Sequence, residues 1–101
     1  MYGTPLGNGK ISAAGLVAVA TLDDVQLGGG EEGIPTGAVF CLLQAETQNV
    51  RWTDDGDDPT AGEGMLLIAG QNPWPYHGQL DQLKFINASA GAILRVAFYK
   101  N

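Results

Sequence analysis

The sequence contains one cysteine, one histidine and only five basic side chains, and each scarcity removes a class of chemistry. A single thiol cannot close an intramolecular disulfide, so the chain is not a disulfide-stapled secreted scaffold. Cys41 lies in the apolar run Ala38-Val39-Phe40-Cys41-Leu42-Leu43, with no neighbouring histidine or cation to favour a thiolate. It reads as a small buried hydrophobe rather than a nucleophile. The lone His77 cannot build a multi-histidine metal site, and neither Ser12 nor Ser89 stands in a nucleophile context that would complete a Ser-His-Asp arrangement. His77 is expected at the surface or packed in a turn.

Basic charge is scarce in a second sense. Five Lys and Arg against eleven Asp and Glu give a formal charge of -6, which disfavours nucleic acid and anionic membrane surfaces as partners. No run approaches the ~20 apolar residues of a membrane span. The start Met1-Tyr2-Gly3-Thr4-Pro5 has neither the basic nor the apolar stretch of a secretion signal. Charged residues are 16% of the chain and apolar residues 45%, too apolar for disorder and low in charge for a solitary domain. Part of the apolar surface is expected to be covered by a partner.

What is abundant is turn-forming residues: fifteen glycines and five prolines, set among short runs of Val, Leu, Ile and aromatics. That is the composition of many short strands joined by tight turns. A chain of 101 residues supports one core. Residues 1–9, with Gly3, Pro5, Gly7 and Gly9, resist a regular element and are expected to form a flexible arm. Lys10 to Leu22 alternates as a strand covered on both faces, with an alanine-rich helix as the rival; Gly15 and the valines favour the strand. Asp23 to Gly37 is a loop with a short paired segment at Val25 to Leu27. Ala38 to Glu46 is the most apolar strand. Thr47 to Thr53 is its expected neighbour, with Val50 and Trp52 on one face, and Met65 to Ala69 is a further strand. Gln71 to Gly78 is an extended corner, because a residue before proline is driven out of the helical region. The final pair of strands is expected near Leu80 to Ile86 and Ala92 to Lys100.

Three constellations carry alternative chemistries. The acidic cluster Asp54-Asp55-Gly56-Asp57-Asp58, with Glu63, offers oxygen ligands that suit calcium, yet its spacing does not fit the helix-flanked calcium loop. A strand turn in which Asp-Gly supplies the positive φ is favoured. Gly28-Gly29-Gly30 lacks the lysine and the following helix of a phosphate loop. The aromatic corner Trp74-Pro75-Tyr76 suits a plug at the end of the core, a protein interface or a glycan platform. No catalytic centre is legible, and neither a cofactor nor a metal is assigned.

The segment Asn49-Val50-Arg51-Trp52-Thr53-Asp54-Asp55-Gly56-Asp57-Asp58-Pro59-Thr60-Ala61, followed by Gly64-Met65-Leu66-Leu67-Ile68-Ala69-Gly70 and by Lys84-Phe85-Ile86 and Ala92-Ile93-Leu94-Arg95-Val96, resembles small β-sandwich decoration or accessory virion proteins of tailed bacteriophages. The likeness covers roughly residues 36 to 100. In that group an arginine-aromatic strand enters an Asp-Gly turn, and a Phe-Ile strand pairs with a closing Leu-x-Val strand. The resemblance implies a structural role without chemistry.

The expected architecture is therefore all-β: a single small antiparallel β-sandwich, jelly-roll-like, spanning 10–101, with a glycine-rich N-terminal arm at 1–9. The expected role is a capsid decoration, or cement, protein on the outer surface of a phage head, made in the host bacterial cytoplasm. Its partners would be the major capsid protein and further copies of itself, a trimer being favoured over a dimer. Tyr2, Pro5, Leu6, Trp74, Pro75 and Tyr76 are the expected interface residues. The alternative is a receptor- or glycan-binding module of a fibre or spike, or another tail or neck accessory protein, with Trp74, Tyr76 and Trp52 as a platform.

Overall fold

The computed structural model describes residues 3–101, and its two central strands follow the period-two alternation of their sequences. In β9, Ile93–Lys100, the side chains of Leu94, Val96 and Phe98 are buried while Arg95 is exposed. In β4, Phe40–Glu46, Cys41, Leu43 and Ala45 point into the core. The two strands pair antiparallel from Phe40↔Tyr99 to Glu46↔Ile93. Around them lie β1 (Thr4–Ile11), β2 (Ala20–Thr21), β3 (Gln26–Leu27), β5 (Val50–Thr53), β6 (Met65–Leu67), β7 (Trp74–Tyr76) and β8 (Lys84–Asn87).

These strands form two antiparallel sheets, one in the order β3-β1-β9-β4-β7 and one in the order β2-β8-β5-β6. Between them Phe85, Phe98, Leu43, Leu83, Leu94, Val50 and Cys41 are fully buried. Each large apolar side chain withdrawn from water contributes about 1.5–3 kcal/mol, which is what sets the ends and faces of such short strands. An all-β chain with two antiparallel sheets is what the composition predicts.

The N-terminal arm is a correction. Residues 4–9 belong to β1, which pairs with β9 from Thr4↔Lys100 to Ile11↔Leu94, with a bulge between Pro5 and Gly7. The glycines that suggested disorder instead permit close packing. A Cβ on Gly9 would lie 2.0 Å from the Gln26 carbonyl oxygen, and one on Gly3 would lie 2.6 Å from the Phe40 ring. Met1 and Tyr2 lie outside the described residues.

The strand expected over Lys10 to Leu22 is a second correction. β1 ends at Ile11, and the backbone N–H of Gly15 bonds the Ser12 carbonyl at 3.0 Å to start a 3-10 turn over Ala14–Leu16. Leu16 plugs the core while Val17 is 70% exposed, so the valines do not line a covered face. A capping box follows, in which the Thr21 N–H donates to Asp24 Oδ2 at 2.9 Å and the Asp23 N–H to Thr21 Oγ1 at 3.3 Å.

Two expected strand pairs are also corrected. β5 pairs with β6 and β8 rather than with β4, and β8 pairs with β2 and β5 rather than with β9. The connections β4 to β5 and β8 to β9 cross between sheets. Alternation tells each strand which face is buried but not which neighbour it takes. The proline corner is a strand as well, with Tyr76 opposite Cys41 and Trp74 opposite Leu43.

Candidate interaction surface

The strand alternation leaves one side of the sandwich open. Leu43 and Ala45 of β4 face Trp52 of β5 and Met65 and Leu67 of β6 across the gap, and Trp74 of β7 stands at its mouth. The result is an apolar cleft of about 200 Å³ between the β7 edge and the β6 edge. Around it Met65 is 61%, Leu66 40%, Ile68 46% and Trp74 56% exposed. Exposed apolar side chains around one cleft mark a candidate interaction site, with Met65 and Trp74 on its inner side and Leu66 on the outer face of β6.

The loop from β6 to β7 frames the cleft. Gly70 adopts φ +85, which allows the Gln71 N–H to bond the Ile68 carbonyl at 3.3 Å. The Ala69 N–H donates to Asn49 Oδ1 at 2.8 Å, and Gln44 Nε2 donates to the Gln71 carbonyl at 3.2 Å. These bonds tie the loop to β4 and to Asn49, the residue before β5.

Beyond Trp74, the Tyr76 ring meets Trp52 edge to face at 5.7 Å, and its hydroxyl donates to Asp54 Oδ2 at 2.8 Å. Burial, then the hydrogen bond to Asp54 and its charge, push the Tyr76 phenol up from 10.0 to about 12. It stays a neutral donor throughout the ordinary pH range. Burial alone pushes the Cys41 thiol up from 9.0 to about 12, which disfavours the thiolate that nucleophilic chemistry requires.

The acidic cluster is a turn. Gly56 takes φ +94, the Asp57 N–H bonds Asp55 Oδ1 at 3.1 Å, and Thr53 Oγ1 donates to the Asp57 carbonyl at 2.6 Å. Lys84 Nζ reaches both Asp58 Oδ1 at 2.8 Å and the Gly56 carbonyl at 3.2 Å. Among the described residues no group of three His, Cys, Asp or Glu side chains is arranged to hold a metal ion.

The residues expected to form one interface are not brought together. Pro5 lies on β1 opposite Tyr99, and Leu6 sits in the bulge, half-buried against the core. Strands β9 and β4 separate them from β7, which at ~4.8 Å per strand is roughly 14 Å. Trp74 and Pro75 are exposed, and Pro75 pairs with Leu42 on the outer face. Tyr76 is a buried plug. Tyr2 lies outside the described residues.

On the outer face of the same sheet Phe40 is only 6% exposed, because it is sandwiched between Tyr99 at 5.1 Å and His77 at 4.9 Å. His77 is thus a packing partner. Sequence reasoning placed Met65 to Ala69 in a strand but did not single out Met65, Leu66 and Ile68 as surface residues, although they are exposed. The signal was the run itself: four consecutive apolar residues must present apolar side chains on both faces of a strand, and Leu66 falls opposite Arg51 on the solvent face. Compared with known protein families, characterised proteins and solved structures, the chain matches none.

Proposed function

We propose that this chain is a structural virion protein, a capsid decoration protein that attaches to the outer surface of a phage head and stabilises it. Its partner is the major capsid protein, and copies assemble on the shell as a homo-oligomer, a trimer in preference to a dimer. The reading assigns no catalytic residue, cofactor or metal.

The observation that carries it is strand order. With the two-residue β3 set aside, we read the rows β1-β9-β4-β7 and β2-β8-β5-β6 as a jelly-roll path, two interlocked Greek keys. That architecture is common in viral capsid and lectin domains. The likeness of residues 36 to 100 to decoration and accessory proteins of tailed phages points the same way, and the apolar surface around Trp74 and Met65 supplies an attachment face. A stable attachment of ~1,600 Å² needs apolar anchors of this kind within a polar rim.

A second reading, a receptor- or glycan-binding module, draws on the exposed Trp74 with the amides of Gln71 and Asn72 beside it. The aliphatic side chains of Met65, Leu66 and Ile68 at the same place favour protein over sugar. Purified chain mixed with assembled shells and sedimented should bind saturably, at a stoichiometry tied to capsomer number, and should raise the shells' resistance to heat. Failure to co-sediment would overturn the decoration role, and a glycan-array signal lost in Trp74→Ala would establish the rival.

A further inference from the structure

Two of the four sheet edges are blocked or covered against pairing with another chain, and a third is only two residues long. The β7 edge is blocked by Pro73 and Pro75, which offer no N–H. The β3 edge is covered by the Glu31-Glu32 segment, through the Leu27 N–H to the Glu31 carbonyl at 2.8 Å and the Gln26↔Glu32 bridge. The β2 edge is two residues long and runs into the 3-10 turn at Leu22–Asp24. Natural sheets use prolines, charges, covering segments and shortness in this way to prevent edge-to-edge association.

The β6 edge has shortness alone. Met65–Leu67 pairs with β5 on one side and, among the described residues, with no strand on the other. Neither it nor the following Ile68 carries a charge or a proline, and the apolar cleft opens directly beside it. A bare strand edge next to a slot for alternate side chains is the arrangement that receives an extended segment.

Charge distinguishes the two ends of this edge. Beside Met65 lie the exposed Glu63 and the turn bearing Asp54, Asp55, Asp57 and Asp58. The nearby cations are engaged: Lys84 with Asp58, and Arg51 with the carbonyls of Ala61 and Gly64 at 3.3 and 3.0 Å. Beyond Ile68 the chain is Ala69-Gly70-Gln71-Asn72 and uncharged.

We propose that the β6 edge takes up an extended apolar segment of the shell protein as an added antiparallel strand. Alternate side chains of that segment fill the cleft against Trp74, and a lysine or arginine at its C-terminal end lies beside Glu63. The identity of the partner rests on the virion reading above; the strand addition and its charge preference do not. A second copy of this chain is a poorer occupant, because an antiparallel β6 pair would set each acidic end against a neutral one, with no complementary charge.

The test uses the full chain, isotope-labelled, titrated with the synthetic peptide acetyl-Val-Thr-Val-Thr-Val-Lys-Lys-amide, the same peptide ending in Glu-Glu, and the lysine peptide N-methylated on alternate backbone nitrogens. The lysine peptide should shift the amide resonances of Met65 to Ile68 and the Trp74 indole. The glutamate peptide should bind at least about tenfold more weakly, and the N-methylated one should not bind. Equal affinity for the lysine and glutamate peptides, binding that survives N-methylation, or shifts elsewhere on the surface would overturn the proposal. So would concentration-dependent shifts of Met65 to Ile68 without peptide, which would assign the edge to a second copy, or binding of oligosaccharides in place of peptide. Shell sedimentation separates the two ideas: shells bound by a chain that ignores the peptides sink strand addition alone, whereas peptides bound by a chain that ignores shells sink the shell protein as partner and leave strand addition standing.

Discussion

Gly9 stands where the β3 backbone crosses closest to β1, and a methyl group there would meet the Gln26 carbonyl oxygen at 2.0 Å. The clash is with backbone, so it cannot be relieved by a rotamer change. Gly9→Ala should destabilise by about 1–3 kcal/mol, as other overpacked positions do, read as a lower denaturant midpoint. Gly28→Ala is the control, with nothing within 4 Å of its added methyl and an expected change within about 0.5 kcal/mol. Cys41 and Tyr76 tie stability to alkaline pH. Burial raises both, from 9.0 and 10.0 to about 12, so the unfolded chain gives up these protons first. Their contribution is whole below pH 9 and is lost as pH rises from there towards about 12. The denaturant midpoint should fall across that window, and the Cys41→Ala, Tyr76→Phe double variant should fall less steeply. A parallel decline in both proteins would refute the assignment. Residue-level reading of the sequence anticipated the buried Cys41 and the positive φ at Gly56. It missed Thr47, which holds φ 66 between β4 and β5 with its hydroxyl bonded to the Gly91 carbonyl, because a β-branched residue gives no composition signal for that conformation.

Strand β1 changes what truncation should do. As a free arm, residues 1–9 could be removed without cost to the fold. Residues 4–9 are six of the eight residues of a strand lying between β3 and β9, so they cannot, since their loss strips β9 of its pairs from Thr4↔Lys100 to Gly9↔Val96 and opens the core beside Phe98. The chain lacking residues 1–9 should therefore lose its cooperative unfolding transition, followed by circular dichroism in urea, whereas deletion of Met1 and Tyr2 should leave the transition in place. A stable, cooperative 10–101 fragment would return these residues to the status of an arm. The elements that were legible share one property. β4, β5 and β9 pack one face on the core, so their side chains alternate and the sequence records it. β1 and the stretch after it were misread because their shape is set by backbone contacts and turn hydrogen bonds: Gly3 beneath the Phe40 ring, Gly9 against Gln26, Ser12 holding Gly15. Such contacts leave no periodicity. The cleft was only half legible for a related reason: Trp74 declared itself as an aromatic beside prolines, while Met65, Leu66 and Ile68 read only as part of a strand, whose exposed side depends on the neighbours of β6.

For the whole molecule, strand order was beyond the sequence because pairing is settled by how two sheets share one core, and alternation is the same whichever neighbour a strand takes. Net charge, by contrast, is fully legible and acts at this scale. At a formal charge of -6, repulsion between copies opposes random meeting of bare β6 edges and their apolar surroundings. That protection is an electrostatic one and disappears near pH 4.3, the isoelectric point. Association, followed by light scattering, should therefore rise sharply as pH falls from 7 to about 4.3, and added salt should promote it at pH 7 by screening. Replacing Leu66 and Ile68 by serine leaves the charge unchanged while removing two of the exposed apolar side chains at the edge. If the edge is the route, the doubly substituted chain should scatter far less at the isoelectric point while keeping its unfolding free energy within about 1 kcal/mol of wild type, because both side chains are already substantially solvated. Equal scattering by the two chains would place the sticky surface elsewhere, with the exposed Val17 and Val19 beside the 3-10 turn at Ala14–Leu16 as the next face to substitute.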